Sequence, residues 1–354
     1  MSELKTNKIS TNDQNNVAID NALGLKSYTT AQRDALTSVA GDMIYNSDDN
    51  KPQIYNGSVW EGFGSSNIFQ VDYLVVGGGA SGLAGVGGGG GGGGVIENTG
   101  TSLVKGVSYF VSVGAGGATV NGNAFSGNVG NNSQFLSIAG GGGYGGGQNS
   151  TATQPPTHQG SGGGGGGGTN YQSSNQTAGS AGSYGDTNSG GTGVHNGSGG
   201  GGGGASTAGV NASGTVAGDG GEGNSSSITG TSDVYGSGGG GGTSSTTTSN
   251  AGDGGTNAGD GGFNSNQNNA GGIDGTVGVA NKGGGGGGSG GSLSPNFNWG
   301  YGAAGGSGVV IVRWATADAT IGATRTGLTD AGVQADGSDS YIVFTAGTGN
   351  ITFS

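Results

Sequence analysis

The chain has 354 residues, of which 96 are glycine, 29% are hydrophobic and 8% are charged. Its formal net charge is −12, with nine Lys and Arg against 21 Asp and Glu, and it has no cysteine. So little apolar surface cannot build two conventional cores of ~150 residues. Nucleic-acid binding is excluded for want of a basic stripe, an acidic surface resists anionic membranes, and disulfide staples and thiol metal sites are ruled out. The opening MSELKTNKISTNDQNN lacks the apolar segment of a secretion signal, and no stretch is long and apolar enough to insert into a bilayer.

Residues 1–26 are polar, with scattered apolar positions at Leu4, Ile9, Val17, Ile19, Leu23 and Leu25. They cannot bury these alone, so the segment reads as one that attaches or oligomerises. Residues 29–38 predict a short helix capped by Thr29 or Thr30, with Ala31, Ala35 and Leu36 on one face. Three β-prone runs follow, Asp42–Asn46, Gln53–Asn56 and Val59–Phe63, the last two joined at Asn56-Gly57, a tight-turn signal. They predict a small β-meander with Tyr45, Tyr55 and Trp60 as its mini-core.

From residue 67 strands alternate with glycine. Period-2 or β-branched runs at 68–77, 95–104, 108–114, 133–140 and 309–314 predict strands, and 340–347 with 350–354 predict a closing hairpin or strand pair. Between them lie unbroken glycine runs at 87–94, 162–168, 199–204, 238–242 and 283–288. Oligoglycine forms neither a helix nor a useful core strand. It is either a linker or an extended three-residue-per-turn helix packed against its neighbours, where any Cβ would block close approach. The similar run lengths and the bracketing strands favour rods, each spanning roughly 20–25 Å at ~3.1 Å per residue. The expected fold is therefore all-β with polyglycine II helices: residues 1–66 an attachment segment with the meander, 67–314 a β-framed glycine-rich domain, and 315–354 a C-terminal strand segment.

Few motifs carry chemistry. Gly77, Gly79 and Gly82 satisfy G-x-G-x-x-G after a strand, and Glu97 lies where a ribose-binding acid would sit. The mechanism needs a helix after the third glycine, and eight consecutive Gly cost on the order of 8 kcal/mol of helix propensity; a strand running into a rod is the better reading. Ala-Gly-Asp-Gly-Gly recurs at 217–221, 251–255 and 258–262 without the order of a calcium-binding repeat, so its aspartates read as turn residues between rods. No Ser-His-Asp or paired-carboxylate spacing stands out, and the expectation is a non-enzyme with no cofactor and no metal. His158 and His195 fall in polar loops. Tyr144, Tyr171, Tyr184, Tyr235 and Phe263 stand isolated among small residues, and Phe297, Trp299 and Tyr301 alternate in FNWGY, which on an extended chain would put them on one face. Each could plug a rod end or stack on a sugar or receptor loop. Rods of glycine offer no side chains, so specificity falls to the inter-rod loops, 148–159, 169–189, 205–217, 224–237, 263–270 and 292–301. These eight aromatics and two histidines are the candidate receptor contacts.

VDYLVVGGGASGLAGVGGGG, VIENTGTSLVKGVSYFVSVGAGGA, NNSQFLSIAGGGGYGGG and GGSGVVIVRW together resemble the glycine-rich domain of bacteriophage tail-fibre and adhesin proteins. The upstream SYTTAQRDALTSVAGDMIYNSDDNKPQIYNGSVWEGF is similar to a small module of marine-phage tail fibres, and YIVFTAGTGNITFS to a strand pair beside such domains. The resemblance implies glycine helices packed in layers, with loops that bind host surface molecules. It implies a virion component, extracellular after lysis, whose partners are a host receptor (a glycan or an outer-membrane protein), other virion tail proteins and further copies of itself, a trimer by preference. A self-assembling extracellular fibre, or an ice-binding protein, is the alternative; irregular loops argue against a flat ice-binding face.

Overall fold

The computed structural model describes residues 24–62, 67–121, 127–146, 184–195, 197–265, 272–292 and 299–354. The chain divides into two compact units, Met1–Asn67 and Ile68–Ser354.

In the first unit, β1 (Ser27–Tyr28) runs parallel to β2 (Met43–Asn46), and β2, β3 (Lys51–Tyr55) and β4 (Trp60–Gly62) form an antiparallel meander. The helix α1 covers only Thr30–Asp34. Its start is a capping box, Thr29 Oγ1 accepting the Gln32 N–H and Gln32 Oε1 accepting the Thr29 N–H. It stops early because the Leu36 N–H bonds three residues back to the Arg33 carbonyl, tightening the last turn. The expected mini-core is half right. Register puts Tyr55 and Trp60 on the face of Ile44 and Gln53, with ring centroids 5.4 Å apart, but sends Tyr45 to the opposite face beside Pro52. Asn46 and Gln53 take up the buried places, satisfied by their mutual amide bond and by Arg33 and Asp49.

In the second unit, nine strands make one antiparallel sheet among the described residues. Its path is β6 (Val95–Val104), β5 (Ile68–Val76), β12 (Val309–Ala315), β15 (Asp339–Thr352), β7 (Ser108–Val113), β8 (Ser133–Phe135) and β9 (Ser137–Ala139), with β13 (Leu328–Asp330) and β14 (Gln334–Asp336) also on β15. The sheet curls until its ends nearly meet: Tyr73 of β5 sets its hydroxyl 3.1 Å from Ser137 Oγ of β9 and accepts a 2.8 Å bond from Asn98 of β6. The tail is one strand and not a hairpin. Residues 339–344 of β15 pair with β12, and from Gly347, which has φ +94°, residues 347–352 pair with β7. So 315–354 is an integral part of the frame, and β13 and β14 fold back on it where no strand was read.

Alternation along the strands makes two cores. Phe69, Val71, Tyr73, Val75, Val310, Val312 and Trp314 point inside the curled sheet with Phe344 and Phe353, while Leu74, Val76, Val309 and Ile311 point outward. A separate hairpin, β10 (Asn224–Ser226) with β11 (Asp233–Tyr235), covers that outer face with Ile228 and Tyr235. Arg313 ties it down, bonding the Ile228 carbonyl and both Asp336 and Asp339. Arg325 and Asp330 form a forked pair at 2.9 and 3.0 Å.

The strands run straight into glycine rods. The segment 77–83 shows their rule. Gly77, Ala80 and Leu83 donate to Gly94, Gly91 and Gly88; Gly78 and Ser81 donate to Asn131 and Asn128; Gly79 and Gly82 donate to Gly306 and Ala303, all at 2.9–3.1 Å. A donor direction that repeats every third residue, toward three different neighbours, is the polyglycine II lattice. The rod 87–94 lies inside it. It donates to 283–289, to 140–146 and to 200–203, and accepts from 77–83 and from 239–242. A Cβ on Gly90 would sit 2.3 Å from the Ala80 carbonyl oxygen, and one on Gly201 1.8 Å from that of Asp219. Gly90→Ala is therefore expected to cost at least about 1–3 kcal/mol, the overpacking range. Gly322→Ala, whose Cβ would meet only the Thr352 oxygen at 3.4 Å, is expected to leave Tm within error; differential scanning calorimetry of both variants checks this.

The recurrent aspartates lie within rods and not between them. The three Ala-Gly-Asp-Gly-Gly copies coincide with the rod segments 218–221, 252–255 and 259–262, and the side chains of Asp219 and Asp260 finish the lattice at its edge. Asp219 Oδ1 accepts the Asp253 N–H and Asp260 Oδ1 the Gly254 N–H, each at 2.9 Å. An outward N–H with no further rod to bond takes a carboxylate instead.

Acid should weaken the frame at Asp330. The Arg325 guanidinium bonded to it, with help from the Gly332 N–H and against the effect of burial, holds its carboxyl below the ordinary value. A depressed folded pKa contributes stability that is present above the unfolded value of about 3.9 and is lost as pH falls through the folded one. Asp330→Asn is accordingly expected to lower Tm at pH 6, with the difference from the parent shrinking as the pH falls below the unfolded value of about 3.9, as thermal melts across an acid pH series would show.

Candidate functional site at the rod tips

The frame sits at one end of the rods, where 77, 94, 114, 140 and 308 continue from strands. Register fixes the other end. Gly87 donates to Ser289, Ser289 to the Leu83 carbonyl, Gly242 to Gly87 and Gly199 to Gly242, which sets five rods flush at one level. The described parts of the loops beyond that level are 84–86, 118–121, 192–198 without 196, 212–217, 243–251, 263–265, 290–292 and 299–302. They come from far apart in sequence and meet at one tip.

Small hydroxyl and amide side chains lace these loops together. Ser198, fully buried, has its Oγ 2.9 Å from the carbonyl oxygens of both Gly214 and Val216, which share its single O–H. Thr243, also fully buried, bonds the Thr215 carbonyl at 2.5 Å and accepts the Ser245 N–H. Asn264 donates its side-chain N–H to the Ser244 carbonyl at 3.3 Å and its backbone N–H to the Ser245 carbonyl, and Asn250 reaches Ser245 Oγ at 3.0 Å. Buried Ser289 accepts the Gly85 N–H at 2.9 Å, closing the turn from 77–83 into 87–94. That turn needs left-handed backbone at Gly85 (φ +76°) and, against its β-branched nature, at Val86 (φ 57°), which is fully buried and held by its surroundings. Outside this lacing, Thr215, Val216 and residues 246–249 are exposed.

The candidate contacts separate by position. Phe263, Trp299 and Tyr301 lie on adjoining tip segments. Ile273 donates to the Phe263 carbonyl and accepts from Gly290, Gly300 donates to Gly290, and Tyr301 donates its N–H to Asp274 Oδ1 at 2.6 Å. Within this group Trp299 is half-buried against Gly85, whose Cβ would lie 3.5 Å from the indole, Phe263 is half-buried, and Tyr301 is 48% exposed. His195 is exposed on the turn closed by Val194 and Ser198. Tyr144, half-buried, flanks the rods beside Gly127. Tyr184 is exposed at the opposite end, its carbonyl accepting from Gly140.

Tyr235 is a correction. It is 3% exposed, packs in the outer core and takes the Lys282 ammonium 4.7 Å over its ring. Burial, then the charges of Asp233 and Glu97, push its phenol up to about 12. The surrounding loop 224–237 covers the sheet and does not stand free. Phe297, His158 and Tyr171 lie outside the described residues, as do the run 162–168 and the loop 148–159.

The glycine fingerprint after β5 has its amides already committed. Gly77, Gly79 and Gly82 donate to other rods, a tight turn follows instead of a helix, and Glu97 accepts a 2.9 Å bond from Ser226. Among the described residues no group of three or more His, Asp and Glu is placed to hold a metal. The chemistry of the tip is that of a hydrogen-bonding surface of hydroxyl and amide groups with aromatic edges and the exposed Asp274 carboxylate. Sequence reading missed Ser198, Thr243 and Ser289; the usable signal was a hydroxyl residue at the end of a glycine run.

Residues 62–315 match the family described as a glycine-rich domain. No curated protein and no solved structure matches the chain.

Ser198→Ala removes the hydroxyl shared by two carbonyls, at about 1–3 kcal/mol for orphaned buried groups. Amide exchange at Ser213 and Val216, which bond each other's carbonyls, is expected to accelerate while Gly90 and Gly239 stay protected, as hydrogen exchange read by NMR would show.

Proposed function

The chain belongs to the glycine-rich domain family, and we propose that it is a virion tail-fibre or tip adhesin that recognises a host-surface receptor, a glycan or an outer-membrane protein, through its rod-tip loops. One observation carries this reading: loops from distant parts of the sequence converge at the end of the bundle opposite the frame, while the rods between offer almost no side chains. Loops on a rigid scaffold are where binding specificity concentrates. A surface of exposed threonines, serines and one exposed tyrosine suits hydrogen bonding with ring stacking. The protein acts by binding, without catalysis or cofactor. The N-terminal residues serve attachment to other virion tail proteins and assembly of copies, a trimer by preference; residues 1–23 lie outside those described.

The tip variant to make is Tyr301→Ala. Its side chain is exposed and its structural bond is made by the backbone N–H, so Tm should not move. Adsorption of the fluorescent full-length chain to a bacterial strain that the parent binds should fall at least about tenfold, within the range of aromatic anchors. Trp299→Ala should instead lower Tm, because the indole covers Gly85. Undiminished adsorption by Tyr301→Ala and by a variant with alanine at Thr246, Thr247 and Thr248 would remove the tip from recognition, and a parent that adsorbs to no strain would remove the adhesin reading.

A further inference from the structure

The first compact unit holds a cavity of about 370 Å³ between α1 and the edge of the meander, lined among others by Arg33, Asp34, Ser38, Tyr55 and Trp60. That volume falls in the lower part of the range of about 300–1,000 Å³ for small-molecule sites. We infer that it is a binding site for a neutral saccharide ring, separate from the rod tips and independent of the adhesin reading.

Each wall contributes one element of that recognition. Tyr55 and Trp60 pair at 5.4 Å with their planes tilted by 51°, and both are half-buried, so part of their ring surface stays open. The apolar C–H face of a pyranose is the partner such rings take. Ser38 Oγ is buried and has no hydrogen-bond partner. A buried hydroxyl left unmade is costly, and one lining a cavity gains its bond when a ligand hydroxyl arrives. Asp34 uses Oδ1 for Arg33, at 2.8 Å to Nε and 2.6 Å to Nη2, on a side chain that is 59% exposed. Its Oδ2 remains an acceptor for sugar hydroxyls, whose bonds to an ionised carboxylate are the strong kind.

Charge selects the ligand class. The Arg33 guanidinium is occupied by Asp34 and by Gln53 Oε1 at 3.0 Å, with Asp49 also 3.9 Å away. Among the described residues lining the cavity no other cation is present for a phosphate, sulfate or carboxylate, and the Asp34 carboxylate repels them. A purely apolar ligand would strip water from the Arg33–Asp34 pair without replacing it. A ring with one apolar face and a rim of uncharged hydroxyls meets every wall.

The test uses the full-length chain labelled with 5-fluorotryptophan, which carries three reporters, Trp60, Trp299 and Trp314, assigned by Trp→Phe variants. It is titrated with glucose, galactose, mannose and N-acetylglucosamine, and in parallel with glucuronate, N-acetylneuraminate and inorganic phosphate. At least one neutral sugar should shift the Trp60 resonance saturably in the millimolar range expected of a single-ring site, about 1–30 mM, with Trp314 unmoved. Asp34→Asn keeps the oxygen that Arg33 needs and turns the other acceptor into a donor; it should weaken binding about tenfold or more, and Ser38→Ala a few-fold, both at unchanged Tm. No saturable Trp60 shift by any neutral sugar up to about 100 mM would overturn the proposal, as would shifts by the anionic probes alone or equal affinity in Asp34→Asn. Because Trp299 reports the tip separately, a shift there without one at Trp60 rejects this site and leaves the tip reading standing.

Discussion

The peptide hydrogen bond between neighbouring glycine rods is the interaction on which the second unit depends. In an ordinary domain side chains separate the backbones and supply the apolar core. Here the backbones themselves are the interior. Carbonyl oxygens of one rod lie within about 2 Å of where the next rod's Cβ would be, as at Gly89, Gly201 and Gly287. The lattice tolerates both directions: 87–94 runs antiparallel to 77–83 and parallel to 199–204. A three-fold rod can meet neighbours of either polarity because every third residue faces the same way.

The side-chain core and the backbone lattice are parts of one construction. β5 alternates exposed and buried residues at its start and is buried on both faces by its end, where Leu74 and Val76 go to the outer cluster and Val75 to the inner. There the chain stops carrying side chains and enters the lattice at Gly77. The curled sheet thereby holds the ends of several rods in register, and register decides which loops meet at the tip. Polar side chains finish what geometry leaves open, as Asp219 and Asp260 do at the lattice edge and Ser289 does at the 84–86 turn.

Much of this was legible in the sequence, for identifiable reasons. The strands at 68–76 and 309–315 stand out because β-branched residues crowd a short span, and glycine runs identify rods because nothing else gives so many consecutive residues without a Cβ. Rod segments diluted by other residues were harder to see. Ala-Gly-Asp-Gly-Gly reads locally as a turn, and only the identity of the neighbouring rod shows that the aspartate points off the lattice. Tyr235 resembled an isolated surface aromatic because its partners, Leu74, Val309 and Lys282, are remote in sequence. The continuous strand at 339–352 was hidden by Gly347 and Gly349, which suggest a turn but let one strand change partners. The tip could not be read as a unit, since only the pairing of rods places residues 198, 243 and 289 at one level.

A core made of peptide groups also changes how stability responds to temperature. Burial of apolar surface gives unfolding its large positive heat-capacity change, and burial of polar surface reduces it. The lattice buries mainly amides and Cα hydrogens, so each residue in it adds less curvature to the stability curve than a residue of the Phe344 and Ile342 core. A protein whose interior is largely of the first kind has a flatter curve, with less of its folding free energy drawn from a hydrophobic effect that fades in the cold. The rod bundle is thus suited to holding one shape across a broad range of water temperatures.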